Sequence, residues 1–301
     1  LILALGVGFW FWQREPSYEG KPLSHWLETF ASIKNGIGWD EREREVTRVL
    51  QRTEGDVVPH LIRLLRKRNS VWDEPDPTFQ NVDDGDILKH FRDKIHQWRP
   101  VPNWEMRHRA AEALGFIGQQ ARPAMSDLQR LMLQTDDYAS SAAAEALGKI
   151  GGEGMSFLTG TIQQGTKKQK SRACWALSRS KELSTEAIES LEGALAADSF
   201  EVRFSAAGTL ADFRLVPQKT ARVILEHTGQ GKPGDWGITS QGTPSSWVSG
   251  VLLRSLAQFD EPDLVKLYRE QPAGNRKLII SLLIKDEPAQ ADALLRSVGN
   301  F

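Results

Sequence analysis

The apolar positions of this chain fall into a phase that repeats. Arg107–Gly118 (RHRAAEALGFIG) recurs as Ser140–Gly151 (SSAAAEALGKIG), and shorter copies follow at Lys170–Leu177 (KSRACWAL) and Arg203–Leu210 (RFSAAGTL). The leucines that close the copies, Leu114, Leu147, Leu177 and Leu210, are 33, 30 and 33 residues apart. An alanine-rich helical block recurring at this period predicts a stacked array of helical hairpins, in which each unit buries its apolar face against its neighbours. The fold class expected is therefore all-α, an α-α superhelix of about six hairpins.

Each block is followed by a second run with helical apolar spacing. These runs are Met125/Leu128/Met132, Leu158/Ile162, Ile188/Leu191/Leu195 and Ala221/Ile224/Leu225. Small residues at the alanine positions let first helices approach closely, and the larger residues fill the layer between them. Gly148, Gly151, Gly152 and Gly154 mark a turn, because glycine is costly inside a helix. The same pattern appears in disguise upstream. Leu50 and Pro59 are nine apart, as are Leu114 and Pro123, and Val46, Thr47 and Val49 take the places of Ala110, Ala111 and Ala113. Asp40–Arg68 thus reads as a first hairpin, whose second helix opens at Pro59 and buries Leu61, Leu64 and Leu65. Upstream of it, Gly20 and Pro22 break the chain and Ser24 is the expected N-cap of a helix bearing Leu27, Phe30 and Ala31.

The chain divides accordingly. Residues 1–13 are an apolar segment, 14–68 a linker and capping hairpin, 69–103 an insertion, and 104–228 the regular array. Residues 229–246 form a second insertion, and 247–301 a last hairpin (Val251, Leu252, Leu256 with Leu264, Leu267, Tyr268) and a C-terminal cap. The first insertion carries Pro75, Pro77, Pro100 and Pro102, the acidic stretch Asp83–Asp86, and an expected short helix at Ile87–Trp98.

The opening LILALGVGFWFW carries no charge. Twelve helical residues rise about 18 Å, less than the roughly 30 Å hydrocarbon core. The chain opens on Leu1 rather than Met, so the run is expected to be the trailing half of a membrane span or signal segment. Trp10 and Trp12 stand where interfacial aromatics belong, with Arg14 just beyond. No small-x-small cleavage pattern follows, which favours a retained anchor. The competing expectation is a buried helix capping the array.

Charge narrows the function classes. Thirty-eight basic and 39 acidic side chains leave a net charge of −1, without the basic excess of a nucleic-acid-binding surface. Nucleic acid is therefore not an expected partner. The single cysteine, Cys174, occupies the slot filled by Ala111, Ala144 and Ala207, three residues before each closing leucine, and reads as a small core residue. The six histidines show no i, i+4 metal pair; His108, among arginines, is expected on an exposed helical start. An EF-type calcium loop counted from Asn81 would put Gly85 at position 5 and Arg92 at position 12, which fails. No nucleophile elbow, P-loop or dinucleotide fingerprint is present. No catalytic residue, metal ligand or cofactor site is expected. Two features remain as candidate partner-binding positions. Arg63 and Arg66 lie in the basic run His60–Arg68, which could meet phosphates or an anionic membrane, or simply complement a helix C-terminus. Lys167–Arg172 is a second basic run of the same kind. Trp72 and Trp236 lie in Pro/Gly-rich insertion sequence, where aromatics either pin the insertion or form a hot spot.

The blocks R-x-R-A-A-E-A-L-G-x-I-G at 107–118 and A-A-A-E-A-L-G-K-I-G at 142–151 resemble HEAT repeats, closest to the short bacterial form named after phycobilisome lyases. Pro123 stands where that family's second helix begins. The resemblance covers roughly 40–68 and 104–270. The segment Tyr18-x-Gly-Lys-x-Leu-x-x-Trp26-Leu27 is similar to one that follows the anchor in membrane-anchored bacterial HEAT-repeat proteins. The resemblance implies an armadillo-type superhelix and a non-catalytic scaffold that binds another protein on the concave face of its second helices. It further implies single-pass anchoring in a bacterial envelope, with the repeat domain outside the cytoplasm. Two alternatives come with it: a bilin lyase or chromophore handler, and a nucleic-acid-binding solenoid of the kind found in alkylpurine glycosylases. Departures are that the fourth repeat lacks glycines after Leu177, and that Pro217 follows Leu210 by only seven residues.

Overall fold

The computed structural model describes residues 16–27, 48–49, 52, 57–67, 103–134, 137–230, 237–239 and 244–299. Among these the chain is built almost wholly of helices packed against neighbouring helices, an all-α fold. It forms two compact units, Leu1–Gly154 and Met155–Phe301.

In the first unit the described chain begins with a two-stranded antiparallel hairpin, β1 (Ser17–Tyr18) and β2 (Lys21–Pro22), in place of the expected linker. Glu19 and Gly20 form its turn with φ of 50° and 74°. Positive φ at both central residues is the geometry of a type I′ turn, which matches the strand twist. A helical turn follows at 23–27, so Ser24 lies inside it rather than capping it. Leu23, Trp26 and Leu27 are buried there. The Trp26 indole N–H donates to the Tyr18 carbonyl at 3.1 Å, and Lys21 lies over its ring at 5.1 Å, which ties hairpin to helix.

Helix α1 (Val58–Leu65) carries Pro59 in its first turn and buries Val58, Leu61, Leu64 and Leu65, as the spacing predicts. Helix α2 (Asn103–Ile117) ends at Gly118, where φ is 70°. The Pro123 region differs from expectation. Gly118–Ala124 is a 3₁₀ segment with Pro123 inside it, and helix α3 starts only at Met125, running to Met132. Helix α4 (Asp137–Ile150) stops at Gly151 and Gly152, both left-handed, while Gly148 lies within the helix. The side-by-side contact of α2 and α4 depends on small residues. A Cβ on Gly115 would sit 3.1 Å from the Ala146 Cα.

The start of α2 is not the exposed face expected for it. Arg107 is buried and donates from Nη1 to the Lys67 carbonyl at 2.9 Å, just past the end of α1. His108 is only 20% exposed; its Nδ1 lies 3.0 Å from the Tyr138 carbonyl on α4 and its Nε2 3.3 Å from Glu112. These long polar groups join α2 to both neighbours, and the Lys67 carbonyl is available because carbonyls at a helix C-terminal end lack intrahelical donors.

The second unit contains α5 (Glu153–Gln164, its first two residues in the first unit), α6 (Lys167–Leu177), α7 (Thr185–Ala194), α8 (Phe200–Asp212) and α9 (Pro217–Gln230). It continues with α10 (Ser246–Leu256), α11 (Glu261–Glu270), α12 (Ala273–Asp286) and α13 (Pro288–Gly299). Helix α8 is its centre, packing on α6, α7, α9 and α10 and burying Ala206, Ala207 and Leu210. Hydrogen bonds cross between helices about one repeat apart. Ser171 and Ser205 hydroxyls meet at 2.8 Å, Thr209 Oγ1 donates to the Cys174 carbonyl at 2.7 Å, and Thr220 meets Ser255 at 2.8 Å. Helix starts are capped by Thr166 with Gln169, by Ser184 and by Asp260. The second insertion contributes a bridge between Ile238 and Pro244, with Ile238 buried. The last two helices, α12 and α13, pack on each other with Ile279, Leu283 and Leu294 buried.

Among the described residues no helix is long and apolar enough to cross a membrane. The apolar run 1–13, the helix expected at 87–98, Trp72 and Trp236 lie outside the described residues.

Candidate functional site

Two polar surfaces stand out, one in each unit. In the first, α1 presents Arg63 and Arg66 opposite its buried leucines, both exposed. Arg63 Nη2 lies 3.1 Å from His60 Nδ1. Arg66 reaches α3, where Nε and Nη2 donate to the two carboxylate oxygens of Asp127 at 3.0 and 2.9 Å. Arg130, one turn further along α3, donates to the same carboxylate. Asp127 is thus a buried acid held by two arginines, and its hydrogen bonds and charge raise the Arg66 pKa further. This clasp has no trace in the local sequence around Arg66, since its acid is 61 residues away.

In the second unit, α5 and α7 flank an open groove of about 530 Å³. Its walls include Gln163, Lys170, Glu186, Glu189 and Ser190, and its floor includes small residues such as Ala194. Gln163 Nε2 donates to Ser190 Oγ at 3.0 Å and Lys170 Nζ to the Gln163 carbonyl at 3.0 Å, so the rim is braced. Glu186, in the first turn of α7, is held below the usual carboxylate range by its own backbone N–H and then by the Ser184 hydroxyl. The groove is mixed in charge and open to solvent. Besides α5 and α7, Lys170 of α6 and Val202 of α8 line it.

The other singled-out groups are structural. Cys174 is fully buried, and desolvation pushes its thiol up to about 12. Ala111, Ala144 and Ala207 are equally buried, which accords with the shared slot. The basic run at 167–172 has Lys167 beside Glu201 at 3.9 Å and Arg172 buried. His227 stacks on Phe200 with centroids 3.3 Å apart, and Trp247 meets Phe204 edge-on at 4.5 Å. Trp247 therefore pins the start of α10 to α8. Among the described residues no group of His, Cys, Asp and Glu is arranged to hold a metal. Compared with the models of known families and with curated proteins, the chain has no significant match.

Proposed function

We propose that this chain is a non-catalytic scaffold of HEAT-like repeats, stacked as a solenoid of about six hairpins, which holds another protein at a bacterial envelope membrane. The observation that carries the reading is the division of labour between helices in the second unit. First helices α6 and α8 are committed to each other through small residues and paired hydroxyls. Second helices α5 and α7 supply most of a polar-rimmed groove of about 530 Å³, which Lys170 of α6 and Val202 of α8 complete. Repeat arrays use successive second helices in this way as an extended binding face. The apolar run at residues 1–12 supports tethering at a membrane.

A photo-reactive residue placed at Glu189, in the groove, and another at Lys285, exposed on α12, test the reading in native membranes. A discrete crosslinked protein is expected from position 189 and not from 285. Equal labelling from both, or none from 189, refutes the groove as a partner site. Addition of a linear tetrapyrrole to the purified chain gives no visible absorbance shift if the scaffold reading holds; a shift would favour chromophore handling.

A further inference from the structure

The end of α1 and the first turn of α3 meet at one carboxylate, and the cations gathered there stay in solvent. Asp127 is 3% exposed, while the Arg66 and Arg130 side chains that grip it are 61% and 60% exposed. The acid acts as a keel: it fixes two guanidiniums, Arg66 through Nε and Nη2 and Arg130 through Nη2. Arg63 lies one turn before Arg66, and Lys67 follows just past the helix end, both exposed. Residues 57–68 contain four cationic side chains and no acidic one.

Helix dipoles account for only part of this. Each C-terminus carries roughly half a negative charge. Four described cations against one carboxylate and the C-terminus of α1 therefore leave about two to three net positive charges on a surface of few residues. That surface is an exposed face and not a pocket, so it matches a flat array of anions better than one enclosed ligand. A long polyanion is disfavoured by the net charge of −1, because nucleic-acid binding needs a run of phosphate contacts. A membrane needs only a few cations held near it.

We propose that the Arg63–Arg66–Lys67–Arg130 face docks on anionic phospholipid headgroups and so orients the N-terminal unit on the membrane. The proposal rests on the membrane-tethering reading of residues 1–12 only for how the face is brought to the bilayer.

The test uses the full chain carrying Ser126→Cys, an exposed position beside Asp127, labelled with a thiol-reactive fluorophore. Cys174 is buried and stays unlabelled. The labelled chain is mixed with phosphatidylcholine vesicles, with or without about one-third phosphatidylglycerol, each containing a headgroup-attached quencher. Quenching is expected on the anionic vesicles only, weakening as salt shortens the Debye length. The double variant Arg63→Gln/Lys67→Gln, which leaves all three hydrogen bonds to Asp127 in place, should lower apparent partitioning onto the anionic vesicles by about tenfold or more. Arg130→Gln should lower it too, with an unchanged helical circular-dichroism spectrum as the control for folding.

Equal binding to both vesicle types without quenching leaves the tether standing and overturns the docking. Quenching on anionic vesicles without binding to neutral ones supports the docking and overturns the tether. Quenching unchanged in the variants overturns the docking. So does displacement by millimolar orthophosphate, which marks a free-phosphate site, or equally variant-sensitive binding of duplex DNA, which marks a nucleic-acid surface.

Discussion

Cys174 shows how much a single position inherits from the phase of its helix. It is buried with Ala111, Ala144 and Ala207, and burial raises its thiol from about 9 to about 12. The folded state therefore holds the proton more tightly than the unfolded chain. Stability from the neutral thiol is complete below pH 9 and is lost as pH rises towards 12, a difference on the order of 4 kcal/mol. Cys174→Ala, which installs the residue of the sister repeats, should leave stability at pH 7 within about 1.5 kcal/mol of wild type. It should also remove the alkaline decline, so that denaturant midpoints of the two proteins diverge between pH 9 and 11 in favour of the variant. Parallel midpoints would mean that the thiol titrates freely. Gly115 is the other telling residue, since a side chain there meets the Ala146 backbone. Gly115→Leu should cost roughly 1–3 kcal/mol through overpacking, read as a lower thermal midpoint. Cys174 is legible from the repeat, because it sits in a slot that its copies define, whereas Gly115 is not, because its counterpart Gly148 reads as a turn marker and yet lies within α4. Arg107 is not legible. A guanidinium in the first turn of a helix reads as exposed until the Lys67 carbonyl, 40 residues earlier, is placed beside it.

Elements were legible where periodicity was strong and illegible where a local turn type decided the outcome. The buried faces of α1, α3, α5 and α9 follow the apolar spacing, and Gly151 ends α4 where glycine permits a left-handed residue. The β1–β2 hairpin was hidden because Glu19-Gly20 lies between strands of two residues each, too short for alternation to register. What stabilises it is Trp26, eight residues beyond Tyr18, and that contact cannot be read from the strands themselves. The 3₁₀ segment before α3 has a similar cause: Pro123 suits a first helical turn by its φ, yet here α3 begins two residues later. Helix α6 offers a test at this scale. Thr166 and Gln169 form a reciprocal capping box at 2.9 and 3.5 Å. Thr166→Ala should destabilise by about 1 kcal/mol. Hydrogen exchange at Lys168 and Gln169 should accelerate first, ahead of amides in the middle of the helix, which stay hydrogen-bonded when the first turn frays.

For the molecule as a whole, the repeat reading makes a claim about cooperativity that packing alone does not. Stability in a stacked array is a sum of unit and nearest-neighbour terms, so damage should stay near its origin. A chain with one shared core would instead lose protection everywhere at once, as small two-state domains do. Gly115→Leu separates the two cases because its clash with Ala146 lies between α2 and α4, within the first unit. Hydrogen exchange of this variant below its melting temperature should show faster exchange through α1–α4. Protection should remain at wild-type level in α10–α13, in the second unit, where Leu252, Leu264, Ile279 and Leu294 are buried. The expected ratio of exchange rates, variant over wild type, is about 5 to 150 in the damaged helices for a loss of 1–3 kcal/mol, and near unity in the distant ones. A uniform rise across both units would show one cooperative core, and the solenoid reading would fall with it. A gradient confined to the first unit would leave the α5–α7 groove intact in the same variant. Crosslinking from Glu189 should then survive Gly115→Leu, whereas partitioning onto anionic vesicles, which depends on α1 and α3, should weaken.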